Sequence, residues 1–169
     1  VAQPSFQPPL IGLLSKNKSR ITSSDDVTIS GNITDGDGNV VSAVLNYAVG
    51  YNNTTFQTIN MVKNSNNDVW TATIPAQADG SVVKYFVTAT DNDANTSVFP
   101  DSLALNSAYM VKNTISSISD IQSTPYGSGA SIFAGDTLTN ISIKGVVVST
   151  IRQRDLGYII LADGTGPNS

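Results

Sequence analysis

The chain has no histidine and no cysteine, and all 13 of its acidic residues are aspartate. Without histidine or cysteine it cannot build a Ser-His-Asp or Cys-His nucleophile, nor a zinc site with the usual nitrogen and sulfur ligands. Any catalysis would have to rest on aspartate, lysine or tyrosine side chains. Because these residues form no complete active site in the sequence, we expect a protein that is not an enzyme.

Charge and long hydrophobic runs are also scarce. Charged residues make up 13% of the 169 residues, which is about half of the usual ~25%. No apolar run approaches the ~20 residues needed to cross a bilayer, so we expect no membrane span. The net charge of −4 argues against a nucleic-acid binder, which would normally carry a basic stripe.

The residues that are abundant favour strands and turns. Ser, Thr and Asn make up about a third of the chain; Asn and Ser belong to turns, and Thr belongs to strands. The clearest alternation of buried and exposed positions covers residues 82–90, and it ends at a run of turn-forming residues at 91–95. Similar patterns predict seven strands in all, at residues 10–14, 26–34, 43–49, 56–63, 70–74, 82–90 and 107–112.

Trp70, the one tryptophan of the chain, alternates with Ala72 and Ile74 in the fifth predicted strand. The alternation favours a buried core position over an exposed platform on which a sugar could stack.

Several of these segments resemble a known class of module. They are Val-Thr-Ile-Ser-Gly at 27–31, Asp-Gly-Asp-Gly at 35–38, Trp-Thr-Ala-Thr-Ile-Pro at 70–75 and Tyr-Phe-Val-Thr-Ala-Thr-Asp-Asn at 85–92. Together they resemble the immunoglobulin-like or fibronectin type III-like modules of secreted, multi-domain bacterial proteins, over about residues 8–113. The resemblance implies a seven-stranded antiparallel sandwich, a strand-corner role for Tyr85, and an extracytoplasmic spacer or binding module.

The residue pattern changes in the tail, from residue 114 onward. Ile-Ser-Ile-Lys-Gly-Val-Val-Val at 141–148, followed by Gly-Tyr-Ile-Ile-Leu-Ala-Asp-Gly-Thr-Gly at 157–166, resembles the opening of OB-fold domains such as those of secreted bacterial nucleases. An OB-fold needs five strands, and about two are present. We therefore expect an incomplete barrel that docks on the sandwich or pairs with a second molecule through its open edge.

The OB resemblance implies a candidate ligand face in this tail. Lys144, Arg152 and Arg154 could lie near that face, and Tyr158 could stack a base. The tail nonetheless has four aspartates against these three bases, so solvated surface charge is the alternative that we favour.

Two aspartate-rich runs form the second candidate site. Asp35 and Asp37 precede Asn39, and Asp91 and Asp93 precede Asn95, each at alternate positions. In an immunoglobulin-type sandwich the two loops would lie at the same end, where their oxygens could hold calcium. The alternative, which we favour, is that both runs are turn formers whose side chains accept local backbone hydrogen bonds.

The sequence thus predicts an all-β protein with a linker at 1–9, an immunoglobulin-like sandwich at 10–113 and a partial OB-like segment at 114–169. The chain begins with Val1 rather than methionine, so we expect part of a longer, secreted or surface-attached bacterial polypeptide. Its expected role is to space or present neighbouring domains of that polypeptide, without a cofactor unless calcium binds. The alternatives are an accessory region of a secreted hydrolase, either a nuclease or a carbohydrate-active enzyme, and a calcium-stabilised adhesion module. We do not expect this piece alone to bind nucleic acid or polysaccharide.

Overall fold

The regular secondary structure of the described residues is β-strand, with one short helix. The computed structural model describes residues 6–100, 107–123, 131–147 and 161–164. The strands within these residues are β1 (Leu10–Ile11), β2 (Ser15–Lys16), β3 (Val27–Thr34), β4 (Val40–Val49), β5 (Gln57–Asn60), β6 (Val62–Lys63), β7 (Val69–Ile74), β8 (Val82–Asp91), β9 (Thr96–Phe99), β10 (Ser107–Met110), β11 (Val146–Val147) and β12 (Leu161–Ala162). The helix among them is α1 (Ile118–Ile121). None of the helical structure in the described ranges is long and apolar enough to span a bilayer.

The described strands up to β10 form two five-stranded antiparallel sheets. One sheet has the order β1-β3-β7-β6 with β2 also paired to β3, and the other has the order β10-β8-β4-β5 with β9 also paired to β8. β8 and β4 run along each other for most of their length, from the Val40 and Asp91 pair to the Val49 and Val83 pair. These two strands therefore form the centre of the second sheet.

A single hydrophobic core lies between the two sheets. β8 alternates buried and half-buried positions along its whole length, as the period-two pattern predicted. The core includes Ile29 and Ile33 of β3, Leu45 of β4 and Val87 of β8, all fully buried. Trp70 is 6% exposed within this core, so the predicted core role is confirmed and an exposed sugar platform at this residue is excluded.

The prediction of one continuous strand at 10–14 is wrong, because only Leu10–Ile11 of that segment form a strand. β1 pairs with the end of β3 and β2 with its middle. Gly12 still donates its N–H to the Asn32 carbonyl at 2.8 Å, but residues 12–14 are not in a strand. Leu14 packs against the core there, with its Cδ2 atom 2.8 Å from the place where a Cβ on Gly31 would lie. Leu14 thus covers Gly31 at the break between the two short strands.

The predicted strand at 56–63 is also divided. β5 pairs with β4 in one sheet, whereas β6 pairs with β7 in the other. Met61 lies between them, buried at 5% exposure, and its N–H donates to the carbonyl of Ala43 at 2.9 Å. The chain changes sheets at Met61 because its side chain turns into the core.

The prediction missed β9 and misplaced parts of the tail. The turn at 91–95 ends β8 as expected, but the chain then returns as β9 in a hairpin, with Thr90 opposite Thr96. The last strand of the sandwich ends at Met110 rather than residue 112, and Val111 instead makes a parallel bridge to Ile21. In the tail β11 pairs with β12, but residues 141–145, the first part of the segment that resembles the opening of an OB-fold, are not in a strand.

Candidate functional site

The two aspartate-rich loops lie side by side at one end of the sandwich. Loop 35–39 joins β3 to β4, and loop 92–95 joins β8 to β9. The backbone N–H of Asn39 donates to Asn92 Oδ1 at 2.6 Å, and the N–H of Asn92 donates to the Asn39 carbonyl at 3.0 Å. The strand topology thus brings the two runs together, as the sequence predicted.

Asp91 turns inward and organises its own loop. It is 2% exposed, and it is the buried charged residue among those that the structure describes. Its Oδ1 accepts from the N–H groups of Asp93 (2.9 Å) and Asn95 (2.8 Å), and its Oδ2 accepts from Asn95 Nδ2 (2.9 Å). These bonds fold the chain so tightly that Ala94 adopts a φ of +64°. Asp91 therefore acts as the anchor of a turn.

The other three candidate carboxylates are placed differently. Asp37 Oδ2 accepts from the backbone N–H of Gln7 at 3.1 Å, and Asp93 is exposed. Asp35 Oδ2 is buried, and no donor from the described residues reaches it. Within those residues no three acidic side chains are grouped so that they could hold a metal ion. Calcium at this end stays a prediction, and an ion would have to compete with the bonds that Asp91 already makes.

We expect calcium to leave the melting temperature of the protein unchanged relative to excess chelator, because the Asp91 oxygens are engaged by Asn95 and Asp93. A ligand held only by the folded state at 100 times its dissociation constant would add about 2.7 kcal/mol, which a thermal melt resolves easily. A shift that disappears in the Asp35→Asn and Asp37→Asn variants would instead establish a calcium site.

Gly38 is the tightest point between the two loops. A Cβ at this residue would lie 2.2 Å from Asn92 Oδ1 and 2.9 Å from Asp35 Oδ2. We expect Gly38→Ala to displace Asn92 from Asn39 and to lower the free energy of unfolding by about 1 to 3 kcal/mol. The matched control is Gly36→Ala, whose Cβ would meet only the mobile end of Gln7, at 3.1 Å. Equal losses in the two variants, measured by urea unfolding, would contradict this packing.

Several aspartates are more acidic than usual. Burial alone would raise the pKa of Asp91, but hydrogen bonds from the Asn95 side chain and from the Asn95 and Asp93 backbone outweigh it and lower the pKa below 3.8. The Lys18 ammonium and Thr22 hold the pKa of Asp25 well below its usual range. Four hydrogen bonds, the first from the N–H of Ser116 and the others from Lys112 and Ser117, lower the pKa of Asp120 likewise.

These shifts predict that the free energy of unfolding falls in acid and does not change with pH near neutrality. A carboxylate with a folded pKa below its unfolded value stabilises the fold above about pH 4, and this contribution is lost as the pH falls through the folded pKa. Since the chain has no histidine, we expect flat stability from about pH 5 to pH 8. Urea midpoints measured from about pH 2 to pH 8 test the prediction, and Asp91→Asn should flatten the acid limb where the exposed control Asp93→Asn does not.

A second polar site lies where the tail meets the sandwich. Lys16 of β2 donates through Nζ to both carboxylate oxygens of Asp136, at 2.9 and 2.7 Å, and each side chain is 15% exposed. Lys112 pairs with Asp120 at 2.9 Å. Phe133 is buried nearby in sequence, at 7% exposure. The tail therefore contacts the sandwich through two partly buried ion pairs, as a docked segment would.

Backbone hydrogen bonds also connect the sandwich to the start of the tail. The N–H of Lys112 donates to the Ile21 carbonyl at 2.8 Å, next to the bridge between Ile21 and Val111. Asn113 then accepts from Arg20 Nη2 at 2.6 Å through its carbonyl and donates its N–H to Asp79 at 2.8 Å. The chain thus leaves the sandwich in a fixed direction.

A cavity of about 450 Å³ adjoins the Lys16 and Asp136 pair. Its wall comes from β2 on one sheet and from Ser107 and Ala108 of β10 on the other, with Tyr85 of β8 behind them. The cavity therefore lies between the two sheets on the side where β2 and β10 are edge strands. Nothing in the local sequence marked Lys16 or Asp136, because 120 residues separate them.

The predicted OB ligand face is described only in part. Lys144 is exposed and lines an open depression of about 580 Å³ with Val146, Ala162 and Asp163. Arg152, Arg154 and Tyr158 lie outside the described residues, so the structure does not place them with Lys144. No family model matches this chain, and no curated protein matches it either.

Proposed function

We propose that this chain is a non-catalytic spacer or presentation module of a larger secreted or surface-attached bacterial protein. The junction between sandwich and tail carries the proposal. A spacer must hold the segment that follows it in a defined orientation, and the Lys16 to Asp136 pair, with both side chains 85% removed from solvent, does so together with the backbone bonds around Asn113.

We further propose that the sandwich is of the immunoglobulin-like type and that the tail is the start of an OB-like barrel. The strand orders support the first assignment, because an immunoglobulin sandwich places its first, second, fifth and fourth strands in one sheet. The order β1-β3-β7-β6 follows that pattern when β1 and β2 are counted as one strand and β5 and β6 as another. The antiparallel pairing of β11 with β12 supports the second assignment.

The engagement of the charged side chains supports a role without catalysis. Lys16, Lys18, Lys63 and Lys112 each form an ion pair with an aspartate. Asp91 is held by its own loop. These groups stabilise loops and the tail, whereas a catalytic acid or base must keep a proton-transfer path to substrate.

Two measurements on the purified chain test the proposal. NMR relaxation should give one overall tumbling time for the sandwich and for the described tail residues, and independent tumbling would contradict a rigid spacer. Incubation with single-stranded DNA, duplex DNA and soluble polysaccharides should give no cleavage above buffer. Cleavage that scales with protein and is lost in an aspartate variant would contradict a non-catalytic role.

The accessory region of a secreted hydrolase is the second candidate. The cavity at the junction favours it, because small-molecule sites occur preferentially at interfaces between domains. A catalytic domain in the complete polypeptide would decide for this candidate. Its absence there would leave the spacer role.

A further inference from the structure

The cavity at the junction presents polar groups of both kinds without excess charge. Lys16 is paired with Asp136, and Lys18, which also lines the cavity, is paired with Asp25. An anion entering the cavity would find both ammonium groups already neutralised, and a cation would find the carboxylates likewise occupied. Burying a charge without a partner is unfavourable, so the pairing selects for a neutral ligand.

The ion pair retains capacity for further hydrogen bonds. A lysine ammonium has three N–H donors, and Lys16 directs two bonds to Asp136. A carboxylate has about four lone-pair sites, and Lys16 occupies two of those on Asp136. One group therefore still donates and the other still accepts, side by side. Ser19 and Ser107 add hydroxyls to the same wall.

Hydroxyl groups meet this combination best, because each can donate to the carboxylate and accept from the ammonium at once. The volume of about 450 Å³ falls within the range of small-molecule sites, about 300 to 1,000 Å³. That space suits one or two sugar rings rather than the side of a long polymer. Leu14 is an apolar residue of the wall with some exposure, and the C–H face of a ring could pack against it.

We propose that the cavity between β2 and β10 binds a neutral, hydroxyl-rich ligand of the size of a monosaccharide or disaccharide, held by the Lys16 and Asp136 pair and by Ser107. Lys16 donates to a ring hydroxyl, and Asp136 accepts from the neighbouring one. The inference uses the same docking of the tail as the proposed spacer role, since Asp136 belongs to the tail. The inference gives the junction a ligand in addition to its role of holding the tail on the sandwich.

The test is an NMR titration of the nitrogen-15-labelled chain with glucose, galactose, mannose and maltose, with glucuronate and inorganic phosphate as charged probes. We expect at least one neutral sugar to shift the amides of Ser15, Lys16, Ser107 and Ala108 saturably, with a dissociation constant of ~1 mM. The charged probes should bind more weakly than that sugar. The absence of saturable shifts with all four sugars, or tighter binding of glucuronate or phosphate, overturns the proposal.

A pair of variants localises the binding. Ser107→Val removes a hydroxyl from the cavity wall and should weaken the sugar about tenfold. Ser97→Val is the matched control, because Ser97 of β9 faces the same side of the sheet opposite Ala89 but lies outside the cavity wall. Equal affinities of the two variants would overturn the site. Relaxation of the unaltered chain reports the docking of the tail, so absence of sugar binding by that chain with docking intact counts against this inference and leaves the spacer role standing.

Discussion

Replacing Leu45 with alanine is expected to lower the free energy of unfolding by about 3 kcal/mol. Leu45 is fully buried in β4, between Val87 of β8 and Ile59 of β5. Removing its branched end leaves a cavity in the middle of the core that strands fixed by cross-sheet pairing cannot close. Urea unfolding followed by the fluorescence of Trp70, the one tryptophan of the chain, measures the loss.

Val44→Ala is the matched control for this change. Val44 is the neighbour of Leu45 in β4 but points to the opposite face, where it is half-buried. Because less apolar surface is removed from water there, we expect a loss of about 1 kcal/mol. A loss at Val44 as large as that at Leu45 would mean that the second sheet buries its other face, and it would contradict the core described above.

Replacing Lys16 with alanine is expected to release the tail while the sandwich stays folded. The change leaves the Asp136 carboxylate partly buried without its partner, which should cost about 2 kcal/mol in the free energy of docking. Hydrogen exchange at Ile132, Ala134 and Asp136, whose N–H groups are bonded within the tail, should accelerate accordingly. Exchange at β4 and β8 should not change.

Lys63→Ala is the control for the Lys16 variant. Lys63 pairs with Asp68 at 2.8 Å, as closely as Lys16 pairs with Asp136, but the two side chains are 47% and 50% exposed. Exposed pairs contribute about 0 to 1 kcal/mol, so this variant should leave tail exchange unchanged. The double variant Lys16→Ala, Asp136→Ala should recover part of the loss, because no unpaired charge remains. Unchanged tail exchange in Lys16→Ala would show that the pair does not hold the tail.

The sandwich could be predicted from the sequence wherever a strand had one buried face. β3, β7 and β8 alternate cleanly, so their side chains report their own orientation. β9 was missed because only two of its four residues face inward, and both are half-buried. The sheet change at Met61 was missed because a continuous polar-apolar pattern does not reveal which neighbour each half pairs with.

The candidate sites, too, could be predicted from the sequence only in part. That the two aspartate loops would meet follows from strand topology, and the hydrogen bonds between Asn39 and Asn92 agree. Which carboxylate turns inward does not follow, since Asp91 and Asp35 occupy equivalent places in similar runs. The Lys16 and Asp136 pair depends on how a tail of weak pattern folds back across 120 residues, and local patterns carry no information about that.

The change of sheets at Met61 also affects how copies of this protein meet in a crowded solution. An edge strand exposes unpaired N–H and C=O groups, and a long flat edge invites a neighbouring chain to add to it and start an aggregate. Here one continuous segment forms one edge of each sheet, with four residues in β5 and two in β6. A neighbour that paired with β5 would have to bend at Met61 to continue along β6. The bend therefore divides a potential template for amyloid-like growth into two pieces, each too short to hold a partner strand.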